Sequence, residues 1–123
     1  MQHAPGFLRL VEDARTRVQD VSLDTARERL RENPQAVLLD VREDHEWEAG
    51  HVQGARHLGK GILERDLEGL FPDPDTEIIM YCGGGFRSAL TCDAAQKMGY
   101  RRVASLIGGY KALVAAGWPI VQG

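Results

Sequence analysis

The strongest chemical signal in the sequence is a cysteine followed by three glycines and an arginine, in Cys82-Gly83-Gly84-Gly85-Phe86-Arg87-Ser88. The N–H groups of a tight glycine loop can turn inward and form a nest for an anion, and glycine allows the positive φ angles that such a loop needs. A helix that begins near Ser88 adds the positive end of its dipole, and Arg87 adds a fixed positive charge. These features favour the thiolate, the nucleophilic form of cysteine. We therefore predict that Cys82 is the catalytic nucleophile and that residues 83–88 bind its substrate.

Cys92 stands in a different setting. Ala89 and Ala95 lie three residues to either side of it on the same predicted helix, which is typical of a small residue that faces the core. Nine residues separate Cys82 from Cys92, and without a paired histidine or cysteine motif this spacing does not match a zinc site. We predict a packing role for Cys92 and no bound metal, and leave open a part for Cys92 in redox chemistry.

Asp40 and Arg42 follow a short apolar run and form a second group of candidates. A carboxylate at a strand end often accepts hydrogen bonds from nearby backbone amides, so we predict that Asp40 supports the site structurally. Arg42 is the better candidate for substrate binding. Glu46, about one helical turn further on, is its expected partner.

Length and composition limit the possible functions. The chain has 123 residues, 43% of them hydrophobic and 27% charged, with a net charge of −3, which is ordinary for one globular domain. No basic excess calls for nucleic acid or an anionic membrane as partner. The two cysteines exclude a disulfide-rich scaffold. We see no signal-peptide pattern and no apolar run of membrane-spanning length, so we expect a cytoplasmic protein with reduced thiols.

Short apolar runs alternate with helical patterns along the chain. Strands are predicted at 37–41, 55–58, 77–81 and 103–106, with an edge strand at 120–121, and helices at 7–18, 24–32, 43–49, 62–71, 88–98 and 109–116. This alternation indicates an α/β fold with a mostly parallel five-stranded sheet and helices on both faces. The site of such folds lies beyond the carboxyl ends of the strands, so Asp40 and Cys82 should converge there.

Several motifs resemble the signatures of rhodanese-like domains. They are Leu39-Asp40-Val41-Arg42-Glu43, Glu46-Trp47, Gly50-His51-Val52-Gln53-Gly54-Ala55, the Cys82 loop, Gly108-Gly109-Tyr110 and Gly117-Trp118-Pro119. The resemblance runs from about Val21 to Val121 and implies a three-layer rhodanese-like fold. We accordingly expect a rhodanese-like domain at 21–123 and an N-terminal extension, 1–20, whose helix packs on it.

The resemblance also implies sulfur transfer. A donor such as thiosulfate or a persulfide gives its outer sulfur to Cys82, and an acceptor such as cyanide or a thiol removes it, without a cofactor. The partner is then a small sulfur compound or a persulfide-carrying protein. In the family the turn around His51 is structural, so we expect that ring to bind backbone, and we expect His3 and His45 to be solvated. Two-domain members that use thiosulfate or mercaptopyruvate well often have an arginine where this chain has Glu46, and this departure argues against thiosulfate as the physiological donor.

Two alternatives remain. Cysteine phosphatases and arsenate reductases use a related loop with five residues between cysteine and arginine, whereas four separate Cys82 from Arg87 here, so we rank this activity lower. Some rhodanese-like domains have lost the cysteine and serve only as interaction modules. The presence of Cys82 argues against that interpretation. The sequence leaves the oligomeric state, the pathway and the physiological donor and acceptor open.

Overall fold

A parallel β-sheet lies between two layers of helices. The structure, a computed structural model, describes residues 3–123. The strands are β1 (Asp20–Val21), β2 (Val37–Asp40), β3 (His51–Val52), β4 (Arg56–His57), β5 (Ile78–Tyr81), β6 (Val103–Leu106) and β7 (Ile120–Val121). The helices are α1 (Pro5–Arg15), α2 (Leu23–Glu32), α3 (Asp44–Ala49), α4 (Lys60–Leu70), α5 (Arg87–Lys97) and α6 (Gly109–Ala115).

The central sheet has the strand order β1-β6-β5-β2-β4, and all four pairings are parallel. Its five strands confirm the predicted fold class, but one assignment was wrong. Ile120–Val121 does not join this sheet, because β7 pairs antiparallel with β3 in a separate two-stranded sheet. The fifth strand is β1, beside β6. A strand of two residues is too short to show the alternation of polar and apolar residues by which a strand is recognised in a sequence.

The middle of the sheet is buried on both faces. Every residue of β5 has no exposed surface, and because successive side chains point to opposite faces, Ile78 and Met80 join one core cluster while Ile79 and Tyr81 join the other. This double burial explains the continuous apolar runs of the sequence. Asp40 pairs with Tyr81 in register, so the carboxyl ends of β2 and β5 lie side by side, as predicted.

Local sequence signals explain two of the helix ends. Ser22 caps α2 by accepting a hydrogen bond from the Thr25 N–H at 3.1 Å, and Pro5 opens α1, where its missing N–H costs nothing. Helix α1 packs against α5 and buries Val11 and Ala14. No helix within residues 3–123 combines the length and apolar character that crossing a bilayer requires.

Candidate active site

The Cys82 sulfur lies inside the loop that joins β5 to α5. The Gly85 N–H donates to Cys82 Sγ at 3.2 Å and the Ser88 N–H donates to it at 3.3 Å. Two backbone amides at the N-terminal end of a helix therefore converge on one sulfur, where they stabilise negative charge. The cysteine itself is only 1% exposed.

Glycines let the loop close tightly. Gly85 has a φ of +99°, and a Cβ there would come within 3.2 Å of the Gly108 nitrogen. Gly109 has a φ of +56°, and a Cβ there would collide with the Cys82 carbonyl oxygen. The same carbonyl accepts a 2.7 Å hydrogen bond from the Tyr110 N–H. The start of α6 therefore holds the cysteine loop from behind, which is the structural reason for the Gly108-Gly109-Tyr110 motif.

Two buried hydroxyls extend the contacts of the sulfur. Ser88 Oγ lies 3.5 Å from Cys82 Sγ and 2.7 Å from Ser105 Oγ. A hydroxyl can either donate or accept a hydrogen bond, so Ser88 can accept a hydrogen bond from the Cys82 thiol or donate one to the thiolate. The sequence analysis missed Ser105. A serine within the apolar run of β6 was the only signal for it.

Arg87 forms an ion pair with Glu46. Its two terminal nitrogens donate to the two carboxylate oxygens at 2.7 and 3.0 Å, which is the strong bidentate arrangement. These hydrogen bonds lower the pKa of Glu46 from its ordinary value of 4.5 to about 2 and raise the pKa of Arg87. The predicted pairing of Glu46 with Arg42 is wrong, because the short helix α3 points Glu46 across the site to α5.

Arg42 lies behind the site instead of in front of it. It is 4% exposed, and its guanidinium donates to the Asp40 carboxylate at 2.7–3.1 Å and to the Gly50 carbonyl oxygen at 2.7 Å. The guanidinium carbon lies 4.0 Å from the centre of the Tyr110 ring. Arg42 does not line the pocket that contains Cys82, so the structure does not bring it together with the cysteine loop. Asp40 has the bracing position that was expected of it.

The four histidines have three different environments. The His51 ring nitrogen Nδ1 lies 2.9 Å from the Trp47 carbonyl oxygen and His57 Nε2 lies 2.8 Å from the Arg42 carbonyl oxygen, so both rings bind backbone. His45 is exposed. His3, expected to be solvated, instead has its ring 4.4 Å from the Phe86 ring.

An open pocket of about 800 Å³ lies in front of the sulfur. Its lining combines the cysteine loop with parts of three other segments, namely the N-terminal segment, α3 and the start of α6. The lining residues are His3, Phe7, Glu46, Cys82, Gly83, Gly84, Phe86, Arg87, Gly108 and Lys111. The sequence analysis missed the two residues from the N-terminal segment. No motif marks them, since only folding brings that segment to the loop. Within residues 3–123, Lys111 makes no ion pair.

Cys92 lies in the interior, as predicted. It has no exposed surface and belongs to the core cluster, and this burial raises the pKa of its thiol. Neither cysteine forms a disulfide. Cys92 does not line the pocket, so the two thiols have different environments.

The part of the chain that the structure describes contains one group with metal-ligating side chains. Ligand atoms of Glu43, His45 and Glu46 lie within 4.8 Å of one another. Both oxygens of Glu46 are already bound to Arg87, and the other two residues are exposed. The group is explained by the start of α3, where Glu43 and Glu46 form a capping box.

One family model and several known proteins are similar to most of this chain. A family model described as "Rhodanese-like domain" matches residues 22–116. A protein of Allochromatium vinosum named "Sulfurtransferase" is 29% identical over 104 residues, which are 85% of this chain and 95% of that protein. The "Putative sulfur carrier protein YrkF" of Bacillus subtilis is 27% identical over 94 residues, or 76% of this chain, and the chain spans only 50% of that protein.

A solved structure resembles nearly the whole chain. The protein is RPA3614 of Rhodopseudomonas palustris, described as a protein of unknown function and possible tyrosine phosphatase. It superposes with a TM-score of 0.83 at 28% identity and covers 98% of both chains. The similarity therefore includes the N-terminal helix as well as the sheet.

Proposed function

Because this chain belongs to the rhodanese-like domain family, we propose that it is a sulfurtransferase that carries a sulfane sulfur as a persulfide on Cys82. Sulfur transfer in general agrees with the relatives that are named sulfurtransferase and sulfur carrier. The observation that carries the proposal is the pair of amides, from Gly85 and Ser88, that point at Cys82 Sγ. No metal or organic cofactor takes part in the proposed reaction.

In the first half-reaction the Cys82 thiolate attacks the outer sulfur of a donor. With thiosulfate, a new S–S bond forms at Cys82, the bond between the donor's two sulfurs breaks, and its electron pair leaves with sulfite. The product is a Cys82 persulfide that carries one negative charge. The Gly85 and Ser88 N–H groups donate to Cys82 Sγ, so they stabilise the attacking thiolate and require no reorganisation before the step.

In the second half-reaction an acceptor attacks the outer sulfur of the persulfide. With cyanide, a C–S bond forms, the S–S bond breaks, and its electron pair returns to Cys82 as the thiolate. The Gly85 and Ser88 amides stabilise this leaving group, and the Ser88 hydroxyl can donate to it. Two separate half-reactions through a covalent intermediate predict ping-pong kinetics.

Phosphate-ester hydrolysis is the second candidate because the possible tyrosine phosphatase of Rhodopseudomonas palustris has a similar structure. Two features argue against it here. The loop has one residue fewer than the phosphatase loop, which makes a smaller cradle, and Arg87 is paired with Glu46 and is therefore not free to bind a phosphate dianion. The third candidate, a module that binds without catalysis, does not require the amide cradle around Cys82.

Mass spectrometry of the sulfur carrier tests the proposal. After treatment with thiosulfate, or with a cysteine desulfurase and cysteine, the protein should gain one sulfur, about 32 Da, on Cys82, and cyanide should remove it. Cys82→Ser is the matched control and should gain nothing. A protein that takes up sulfur from neither source, or that hydrolyses p-nitrophenyl phosphate faster than it forms thiocyanate, would contradict sulfur transfer.

The proposed partners follow from this chemistry. They are a small sulfur-containing substrate or a protein that carries a persulfide, and neither nucleic acid nor a membrane. Thiosulfate is proposed as an assay donor. The proposed location is the cytoplasm, where thiols remain reduced, and both cysteines of the chain are free.

A further inference from the structure

One side of the pocket is an aromatic wall formed by His3, Phe7 and Phe86. The Phe86 ring, at the tip of the cysteine loop, lies 4.4 Å from the His3 ring and 6.4 Å from the Phe7 ring, measured between centroids. His3 and Phe7 also contact each other, with centroids 5.3 Å apart. All three residues line the space in front of Cys82. A substrate on the sulfur therefore meets this wall.

The N-terminal segment is tied to the loop and to α5. The Arg15 guanidinium donates to the Gly85 carbonyl oxygen at 3.1 Å and lies 5.1 Å from the centre of the Phe86 ring. Arg17 donates to both oxygens of Asp93 at 2.8 and 2.9 Å. These contacts hold α1 in one place. The aromatic wall is therefore held in place at the pocket by these contacts, although His3 and Phe7 precede the residues that match the family model.

The size and charge of the pocket indicate what would fill it. Its volume of about 800 Å³ lies within the range of ~300–1,000 Å³ typical of sites for organic ligands, and an inorganic anion such as thiosulfate would occupy little of it. The charge of Arg87 is balanced by Glu46, so Lys111 is the lining cation without an ion pair within residues 3–123. One free cation and one aromatic wall complement a monoanion with a flat apolar group.

We propose that the aromatic wall makes this chain selective for organic sulfane-sulfur donors in which an aromatic group adjoins an anionic sulfur head. The proposal rests on the proposed sulfur transfer. With an aromatic thiosulfonate, the Cys82 thiolate attacks the terminal sulfur and forms an S–S bond, and the donor's S–S bond breaks. Its electron pair leaves with the aromatic sulfinate, so two negative charges are present on each side of the step.

Donor selectivity tests the proposal. We would measure kcat/KM for benzenethiosulfonate, methanethiosulfonate and thiosulfate, with cyanide as acceptor. The native chain should prefer the benzene donor to the methane donor. Phe7→Ala should lower the ratio of the benzene to the methane donor by about 3- to 10-fold, the size of an aromatic stacking contribution. Phe7→Leu, which keeps apolar volume without the aromatic face, should lower it by an intermediate amount.

Leu10→Ala is the matched control, because Leu10 is on the same helix, is 60% exposed and does not line the pocket. It should leave the donor ratio unchanged. Equal kcat/KM for the two thiosulfonates, or a Phe7→Ala loss that is the same for all three donors, would overturn the aromatic selectivity while leaving sulfur transfer intact. If none of the three donors places sulfur on Cys82, this inference is overturned, and the cysteine desulfurase experiment then decides whether sulfur transfer fails with it.

Discussion

Arg87 donates to both carboxylate oxygens of Glu46, at 2.7 and 3.0 Å, across the mouth of the cysteine loop. The loop arginine is therefore occupied by a carboxylate of the same chain. In the proposed reaction, a small anionic donor would compete with Glu46 for the charge of Arg87, and the Gly85 and Ser88 amides hold the sulfur.

Removal of the ion pair between Arg87 and Glu46 should improve the binding of thiosulfate. We predict that Glu46→Gln lowers KM for thiosulfate by about 3- to 10-fold, since a partly buried ion pair of about 1 kcal/mol no longer competes with the dianion. Steady-state thiosulfate:cyanide kinetics measure this. Glu48→Gln, an exposed carboxylate on the same helix, is the control and should leave KM unchanged. A KM that rises in Glu46→Gln would show that Glu46 assists the anion.

The same ion pair predicts a pH dependence of stability. The pKa of Glu46 is about 2 in the folded chain, below its ordinary 4.5, so its contribution is complete above about pH 4.5 and is lost as the pH falls towards 2. The free energy of unfolding of Glu46→Gln should therefore lie below that of the native chain at pH 7, and the gap should narrow between pH 4.5 and 3. Urea unfolding at these pH values measures it. A gap that widens in acid would contradict the prediction.

The two cysteines should respond differently to substitution. Cys82→Ser should abolish thiosulfate:cyanide turnover, whereas Cys92→Ala should retain most of it and lower the free energy of unfolding by about 1 kcal/mol through a small cavity. Iodoacetamide should modify Cys82 first, because Cys92 lies outside the pocket and its burial raises the pKa of its thiol. Peptide mapping of the alkylated protein identifies the site. Loss of turnover in Cys92→Ala would instead assign it a part in the reaction.

The serine pair behind the sulfur should affect the rate more than substrate binding. Ser105→Ala removes the 2.7 Å hydrogen bond to Ser88 Oγ. The Ser88 hydroxyl then has no partner that keeps it oriented towards Cys82. We expect kcat to fall about 3- to 10-fold with little change in KM, as for one lost hydrogen bond. Alkylation of Cys82 by iodoacetamide at pH 7 should slow as well. If the alkylation rate does not change, Ser105 contributes only to packing and does not position the Ser88 hydroxyl.

The buried ion pair between Asp40 and Arg42 should contribute to the free energy of unfolding. Asp40 has no exposed surface and Arg42 is 4% exposed, so Asp40→Asn leaves a buried guanidinium without its counter-ion. We expect the free energy of unfolding in urea to fall by about 3–5 kcal/mol. Asp66→Asn is the control, because its partner Arg65 is 73% exposed, and it should change stability little. A loss of equal size in both variants would contradict the assigned role.

The local sequence determined most of the fold and the setting of Cys82. The apolar runs at β2, β5 and β6 predicted a parallel sheet because burial on both faces requires continuous hydrophobic residues. A cysteine before three glycines and a helix predicted an amide cradle, since the loop and the helix end are adjacent along the chain. Ser22 predicted the start of α2 for the same reason.

The tertiary structure alone decided which distant residues meet. Glu46 reaches Arg87 instead of Arg42, and His3 and Phe7 reach Phe86, because helix packing brings together side chains far apart in sequence. Such contacts depend on the directions in which helices leave the sheet, and periodicity does not encode these directions. The place of β1 in the central sheet was undetectable for a related reason, since a two-residue strand is defined by its partner and not by its own pattern.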